Sequence, residues 1–110
     1  MTTIKPRAVE ADESLAFRDY LTANGYVFTE APRRSASFRR SGYAAGRFDF
    51  EITSHRGEIA NIAIEMKRRD GGTVTEKQTK QLWAYRERGF TAAICWGAAD
   101  AMMFLSEAAR

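Results

Sequence analysis

Two short alternations of apolar and charged residues, Gly46-Arg-Phe-Asp-Phe-Glu-Ile and Ile62-Ala-Ile-Glu-Met-Lys, constrain this chain more than any other feature. Along an extended strand successive side chains alternate between faces. The first segment therefore places Phe48, Phe50 and Ile52 on one face and Arg47, Asp49 and Glu51 on the other. The second places Ile62, Ile64 and Met66 opposite Ala63, Glu65 and Lys67. A tight hairpin centred near Gly57 sets Asp49 across from Glu65 and Phe50 across from Ile64. All the apolar residues then share the core face, and Asp49, Glu65 and Lys67 converge on the other. Two ionised carboxylates about 5 Å apart at Cβ across a ladder repel each other. A hard divalent cation removes that cost, taking one or two carboxylates together with water and phosphate oxygens. Lys67, about 7 Å along the same face, is within reach of a water or a phosphate. A half-exposed hairpin with ordinary surface charges shows the same alternation, so patterning alone leaves both readings standing.

With 110 residues there is room for one core and not for a second. Residues 1–9 read as a loose tail and 10–110 as a single domain. No apolar run is long enough to span a bilayer, and the N-terminus lacks the hydrophobic stretch of a signal peptide; a reducing, cytoplasmic setting is expected. The single Cys95 lies in an apolar strand and reads as a structural thiol. With His55 as the one histidine, this chain alone cannot assemble a zinc cluster. A net charge of +3 permits a polyanionic partner. Its distribution says more: Arg33, Arg34, Arg39, Arg40 and Arg47 crowd a stretch that also holds Phe38 and Tyr43. Arg68 and Arg69 follow the second strand, and Lys77 and Lys80 come next. Clusters on both sides of the acid pair suit phosphate contacts, with a solvated basic face as the alternative.

The periodicity predicts a helix over 13–24, capped by Asp12, with Ala16, Phe17, Tyr20 and Leu21 inward and Gly25 as its stop. Tyr26 to Thr29 reads as a short strand, and Ala36 to Arg40 could hold another. The long strands are Arg47 to Ser54 and Glu58 to Arg68. Asp70-Gly-Gly turns the chain into a helix over 75–88. Phe90 to Trp96 reads as a central strand buried on both faces, and a last helix over 98–109 carries Met102, Met103 and Leu105 as core filler. The order α-β-β-β-α-β-α, with a helical crossover feeding the last strand in parallel, gives an α/β fold: a mixed sheet flanked by helices. Thr75-x-x-Gln78 is a capping box. Gln78 also shares a stripe with Leu82 and Tyr85, so its amide could point towards Lys67 or a water beside it. Trp83, Tyr85 and Trp96 read as core or interface aromatics.

Ile64-Glu-Met-Lys, the following Arg-Arg-Asp-Gly-Gly loop, Thr75-Glu-Lys-Gln78 opening a helix, and then Gly89 and the apolar run to Trp96 resemble the VRR-NUC family of the PD-(D/E)xK nuclease superfamily. The likeness covers about residues 43 to 105, and order, spacing and element type agree. Two positions depart from the family's pattern: Phe48 stands where a proline is usual, and Thr75 where a serine is. Neither change removes a metal ligand.

The resemblance implies a restriction-endonuclease-like core and a Mg²⁺- or Mn²⁺-dependent endonuclease that hydrolyses DNA. Asp49, Glu65 and the backbone carbonyl of Met66 would hold the ion, and Lys67 would orient the nucleophile or stabilise the transition state. An acid of the first helix completes the site in the family. Spacing to Leu21 and Gly25 favours Glu10, whereas burial phase favours Glu13; both could instead complement the helix dipole. Gln78 would join the catalytic set, and Arg33, Arg34, Arg39, Arg40, Arg68, Arg69 and Lys77 would contact nucleic acid. Small stand-alone members, of phage or bacterial type, imply selectivity for branched DNA and a homodimer. The alternatives are a nicking or restriction-type enzyme that needs a partner for targeting, and a nuclease-derived module that binds without cutting.

Overall fold

The computed structural model describes residues 10–31 and 47–108. The tail over 1–9, the segment Ala36 to Arg40 and the arginines Arg33, Arg34, Arg39 and Arg40 lie outside the described residues. In chain order the elements are α1 (Glu10–Ala23), β1 (Tyr26–Glu30), β2 (Phe50–His55), β3 (Glu58–Lys67), α2 (Glu76–Glu87), β4 (Thr91–Trp96) and α3 (Ala98–Ala108). The strands form one sheet in the order β1-β2-β3-β4, with β1/β2 and β2/β3 antiparallel and β3/β4 parallel. The expected α-β-β-β-α-β-α order and the parallel crossover are both present. No helix among the described residues is long and apolar enough to cross a membrane.

The β2–β3 hairpin turns through Arg56 and Gly57, at φ 51° and 88°. Positive φ at both central residues is the turn whose twist matches the flanking strands. Near the site the register is the one expected, with Phe50 opposite Ile64 and Ile52 opposite Ile62. Nearer the turn it slips: Ser54 pairs with Ile59, so β3 carries one extra residue and Asn61 sits at φ 50°. The bulge is confined to the turn end and leaves the acid-bearing end in phase.

Two cores sandwich the sheet. On one face Phe50, Ile52, Ile62, Ile64 and Met66 pack against Phe17 and Leu21 of α1 and Ala101 and Leu105 of α3. The rings of Phe17 and Phe50 meet edge to face at 5.1 Å between centroids, a favoured aromatic geometry. On the other face Phe48 and Ala63 join Tyr85 of α2 and Ala92 of β4. Arg18 grips Glu30 through two hydrogen bonds of 2.7 and 3.0 Å, tying α1 to β1.

Several expectations need correcting. Helix α1 begins at Glu10 rather than after an Asp12 cap, and Ala16 is exposed. Strand β2 begins at Phe50, and Asp49 occupies a bend ahead of it. That bend breaks the alternation, so Phe48 enters the second core instead of joining Phe50 and Ile52. The fully buried central strand is β3, where residues 62–66 are all buried, while β4 lies at the sheet edge with Thr91 and Trp96 exposed. Strand β4 is apolar because α2 and α3 both pack near it, and an apolar run alone cannot distinguish that from a central position. Met103 is 64% exposed, so Leu105, not Met103, fills the core from α3.

Candidate metal and active site

The bend at Asp49 is fixed by its backbone. The Asp49 carbonyl accepts from the Ala31 N–H at 2.8 Å, which docks the start of β2 beside the end of β1. One residue earlier, the Phe48 N–H donates to the Tyr85 hydroxyl at 2.9 Å. That hydroxyl in turn donates to Glu51 Oε2 at 2.5 Å, and Arg47 Nε stands 3.8 Å from the same oxygen. Burial, followed by the hydrogen bond to Glu51, pushes the Tyr85 phenol up to about 12. Arg47 is thereby engaged inside the fold, and it also donates to Thr29 Oγ1 at 2.9 Å.

So placed, Asp49 faces Glu65 in the manner the register requires. Asp49 Oδ2 accepts from the Met66 N–H at 2.8 Å, and the Asp49 N–H donates to Glu65 Oε1 at 3.1 Å. Glu65 is 4% exposed, the one buried charged side chain among the described residues. Burial, and after it the charge of Asp49, pushes its carboxyl up to about 8, with Lys67 pulling the other way. Lys67 occupies the next position on the Glu65 face, half-buried, and Gly72 stands against its stem: a Cβ there would lie 3.5 Å from Lys67 Cβ and Cδ.

Gln78 serves two functions that the sequence presented as alternatives. Thr75 Oγ1 accepts from the Gln78 N–H and Gln78 Oε1 accepts from the Thr75 N–H, each at 3.1 Å, closing the capping box of α2. Its amide nitrogen then donates to Glu65 Oε2 at 2.9 Å. The amide reaches the carboxylate itself rather than Lys67.

The first-helix acids fare differently. Glu13 Oε1 accepts from the Ala98 N–H at 3.3 Å, so it caps α3 instead of joining Asp49 and Glu65. Gly97, at φ 91°, admits it closely: a Cβ there would come within 2.6 Å of Glu13 Oε1 and 3.1 Å of Arg69 Cβ. The Gly97 N–H donates to the Lys67 carbonyl at 3.0 Å, which puts Glu13 at the margin of the site. Glu10 is the first residue of α1. Among the described residues no three His, Cys, Asp or Glu side chains cluster closely enough to hold an ion together. Asp49 and Glu65 stand as a carboxylate pair, a donor number that Mg²⁺ can take when water and phosphate complete its shell. Arg69 and Lys77 are exposed and Arg68 is half-buried. Cys95 is buried, and burial pushes its thiol up to about 12, as a structural cysteine requires.

Tyr85 is the residue that sequence reasoning undervalued. It is indeed core, at 1% exposed, but a buried tyrosine needs a partner for its hydroxyl. The choice of Tyr over Phe in an apolar stripe was the available signal.

No protein-family model and no curated protein matches the sequence. Among solved structures the chain is similar to a "VRR_NUC domain protein", at 18% identity and a TM-score of 0.71, over 92% of this chain and 88% of that one. At such identity the likeness bears on architecture, and it agrees with the four-stranded mixed sheet and its helices. The chain therefore has the restriction-endonuclease-like fold of a VRR-NUC domain.

Proposed function

We propose that this domain is a metal-dependent DNA endonuclease. The observation that carries the reading is the reciprocal pair Asp49–Glu65, half-buried and buried, with Lys67 next along the same face. Asp49, Glu65 and the carbonyl of Met66 would hold Mg²⁺ or Mn²⁺, while Glu13, engaged at α3, stands outside that set. The ion, when bound, lowers the pKa of a coordinated water and offsets charge on the scissile phosphate.

The chain's own residues do the rest. Gln78 fixes one oxygen of Glu65, leaving its other oxygen to the Asp49 N–H, so the carboxylate cannot rotate freely. The Lys67 ammonium holds a non-bridging phosphate oxygen and stabilises charge that grows there during attack. Arg68, Arg69 and Lys77 supply phosphate contacts that place the strand. Selectivity for branched DNA and action as a homodimer belong to the same proposal, because two-fold symmetry matches a four-way junction.

The test is one gel with labelled linear, flap and four-way junction DNA in Mg²⁺, Mn²⁺ or EDTA. Products are expected with either metal and none in EDTA, with the branched substrates cut faster than the linear duplex. Binding without products under every metal condition overturns the enzyme reading in favour of a module that grips DNA without cutting.

A further inference from the structure

The parallel register of β3 and β4 pairs Glu65 with Ile94 and Lys67 with Trp96. Residues paired in this way share a face of the sheet, on strands about 5 Å apart. Ile94 follows that rule, packing in the same core as Ala63 and Tyr85. Trp96 therefore stands on the face of Glu65 and Lys67, one strand over from the lysine. Although β4 is apolar, Trp96 is 38% exposed, whereas Cys95 beside it is 2% exposed. Its indole is held rather than loose: Nε1 donates to the Gly72 carbonyl at 3.3 Å, and its backbone N–H donates to Asp100 Oδ2 at 2.8 Å.

Charges of both signs surround it: the Asp100 and Glu13 carboxylates are engaged by backbone N–H groups on its α3 side, and the basic groups lie on its β3 side. Lys67 is its cross-strand neighbour, Arg68 and Arg69 continue from β3, and Arg69 packs against Gly97, the residue after Trp96. Trp83, though 57% exposed, is different: it lies on α2 with the Arg86 guanidinium 5.2 Å over its ring. An oriented indole flanked on one side by a lysine and the arginines that follow it is an arrangement by which proteins seat unpaired nucleotides, one base per aromatic face, with the backbone held by charge. A fully paired duplex keeps its base faces stacked inside and offers nothing to such a ring.

We propose that Trp96 is a stacking platform for an unpaired base next to the phosphate that Lys67 contacts. This deepens, and rests on, the nuclease reading above. The substrate class it specifies is DNA with unpaired nucleotides at the cleavage position. The competing role is purely local, in which Trp96 only pins the Gly72 loop through Nε1.

The experiment uses the full chain carrying Trp83→Phe, so that Trp96 is its one fluorophore of that type, in EDTA. A single-stranded oligothymidylate and a duplex of equal length are titrated against it. Single strands are expected to quench Trp96 and the duplex to leave it unchanged. In the same background Trp96→Ala should weaken single-strand binding roughly 5- to 150-fold, the range of one lost base stack, with duplex affinity little altered. Trp96→Phe, which loses Nε1 but keeps a ring, should retain most of the single-strand affinity. Single-strand binding without quenching overturns the proposal, as does a Trp96→Phe loss equal to that of Trp96→Ala, which would assign Trp96 to the loop. Quenching by the single strand in a preparation that cuts nothing in Mn²⁺ refutes the nuclease reading alone. Failure to bind any oligonucleotide refutes both.

Discussion

Asp49 and Glu65 each accept a hydrogen bond from the backbone of the other's segment, Met66 N–H to Asp49 Oδ2 and Asp49 N–H to Glu65 Oε1. The repulsion between two facing acids is thus partly offset by two main-chain donors. The pair is positioned by the hairpin itself and not by the ion it is proposed to bind.

Because an amide oxygen accepts the same backbone bonds, Asp49→Asn and Glu65→Gln should fold and fail to cut. Lys67→Ala should lower the cleavage rate by roughly 10²- to 10³-fold, the usual cost of one lost electrostatic stabiliser. Initial rates on labelled DNA in Mn²⁺, beside far-UV circular dichroism, check this. Wild-type cutting by any of these variants would remove that residue from the site.

A pH dependence follows from Glu65, whose carboxyl rises from 4.5 to about 8, through burial first and then Asp49. The folded state holds this proton more tightly than the unfolded chain does. Stability from it is full below about pH 4.5 and is lost as pH rises towards 8. In EDTA the Tm should fall by several degrees across that window, since about 1 kcal/mol moves Tm by roughly 4–8 °C in a domain near this size. Glu65→Gln should flatten the curve. An equally steep fall in that variant would mean that another group is titrating.

Tyr85→Phe should separate positioning from binding. It keeps the ring and removes the hydroxyl that holds the Phe48 N–H, one residue before Asp49. Single-turnover cleavage should slow roughly 10- to 100-fold, the effect typical of a residue that orients a ligand, with DNA affinity unchanged. A loss of affinity with an unchanged rate would contradict this role.

Metal should stabilise the fold through the same pair. Binding to the native state alone adds about 2.7 kcal/mol when the ion is a hundredfold above its Kd. Mn²⁺ should raise Tm more than Mg²⁺. Asp49→Asn should erase the shift, whereas Glu51→Gln should keep it, since Glu51 Oε2 faces the Tyr85 hydroxyl. The opposite pattern in thermal melts would move the ligand to Glu51.

The hairpin register was legible because strict alternation leaves one pairing that buries Phe50, Ile52, Ile62 and Ile64 together. The capping box at Thr75 and Gln78 was legible because it is local. What periodicity could not show was an interruption of itself. The bend at Asp49 sends Phe48 to the far core, and the bulge at Asn61 is invisible to a pattern of period two. Long-range pairings were hidden as well. The partner of Glu13 is the N-terminus of α3, near the opposite end of the chain, and no spacing within α1 encodes it. Strand β4 looked central because its residues are apolar, yet sheet position depends on neighbours that come from elsewhere in the sequence.

Gln78 binds the Thr75 N–H with one end of its amide and Glu65 with the other. Helix ends open and close on the nanosecond-to-microsecond scale, and each opening of this one withdraws the amide from Glu65. Oε2 of Glu65 is fixed only while α2 is closed at its start, with Oε1 still on the Asp49 N–H. A residue suited to beginning a helix therefore also governs how long one oxygen of Glu65 stays pinned.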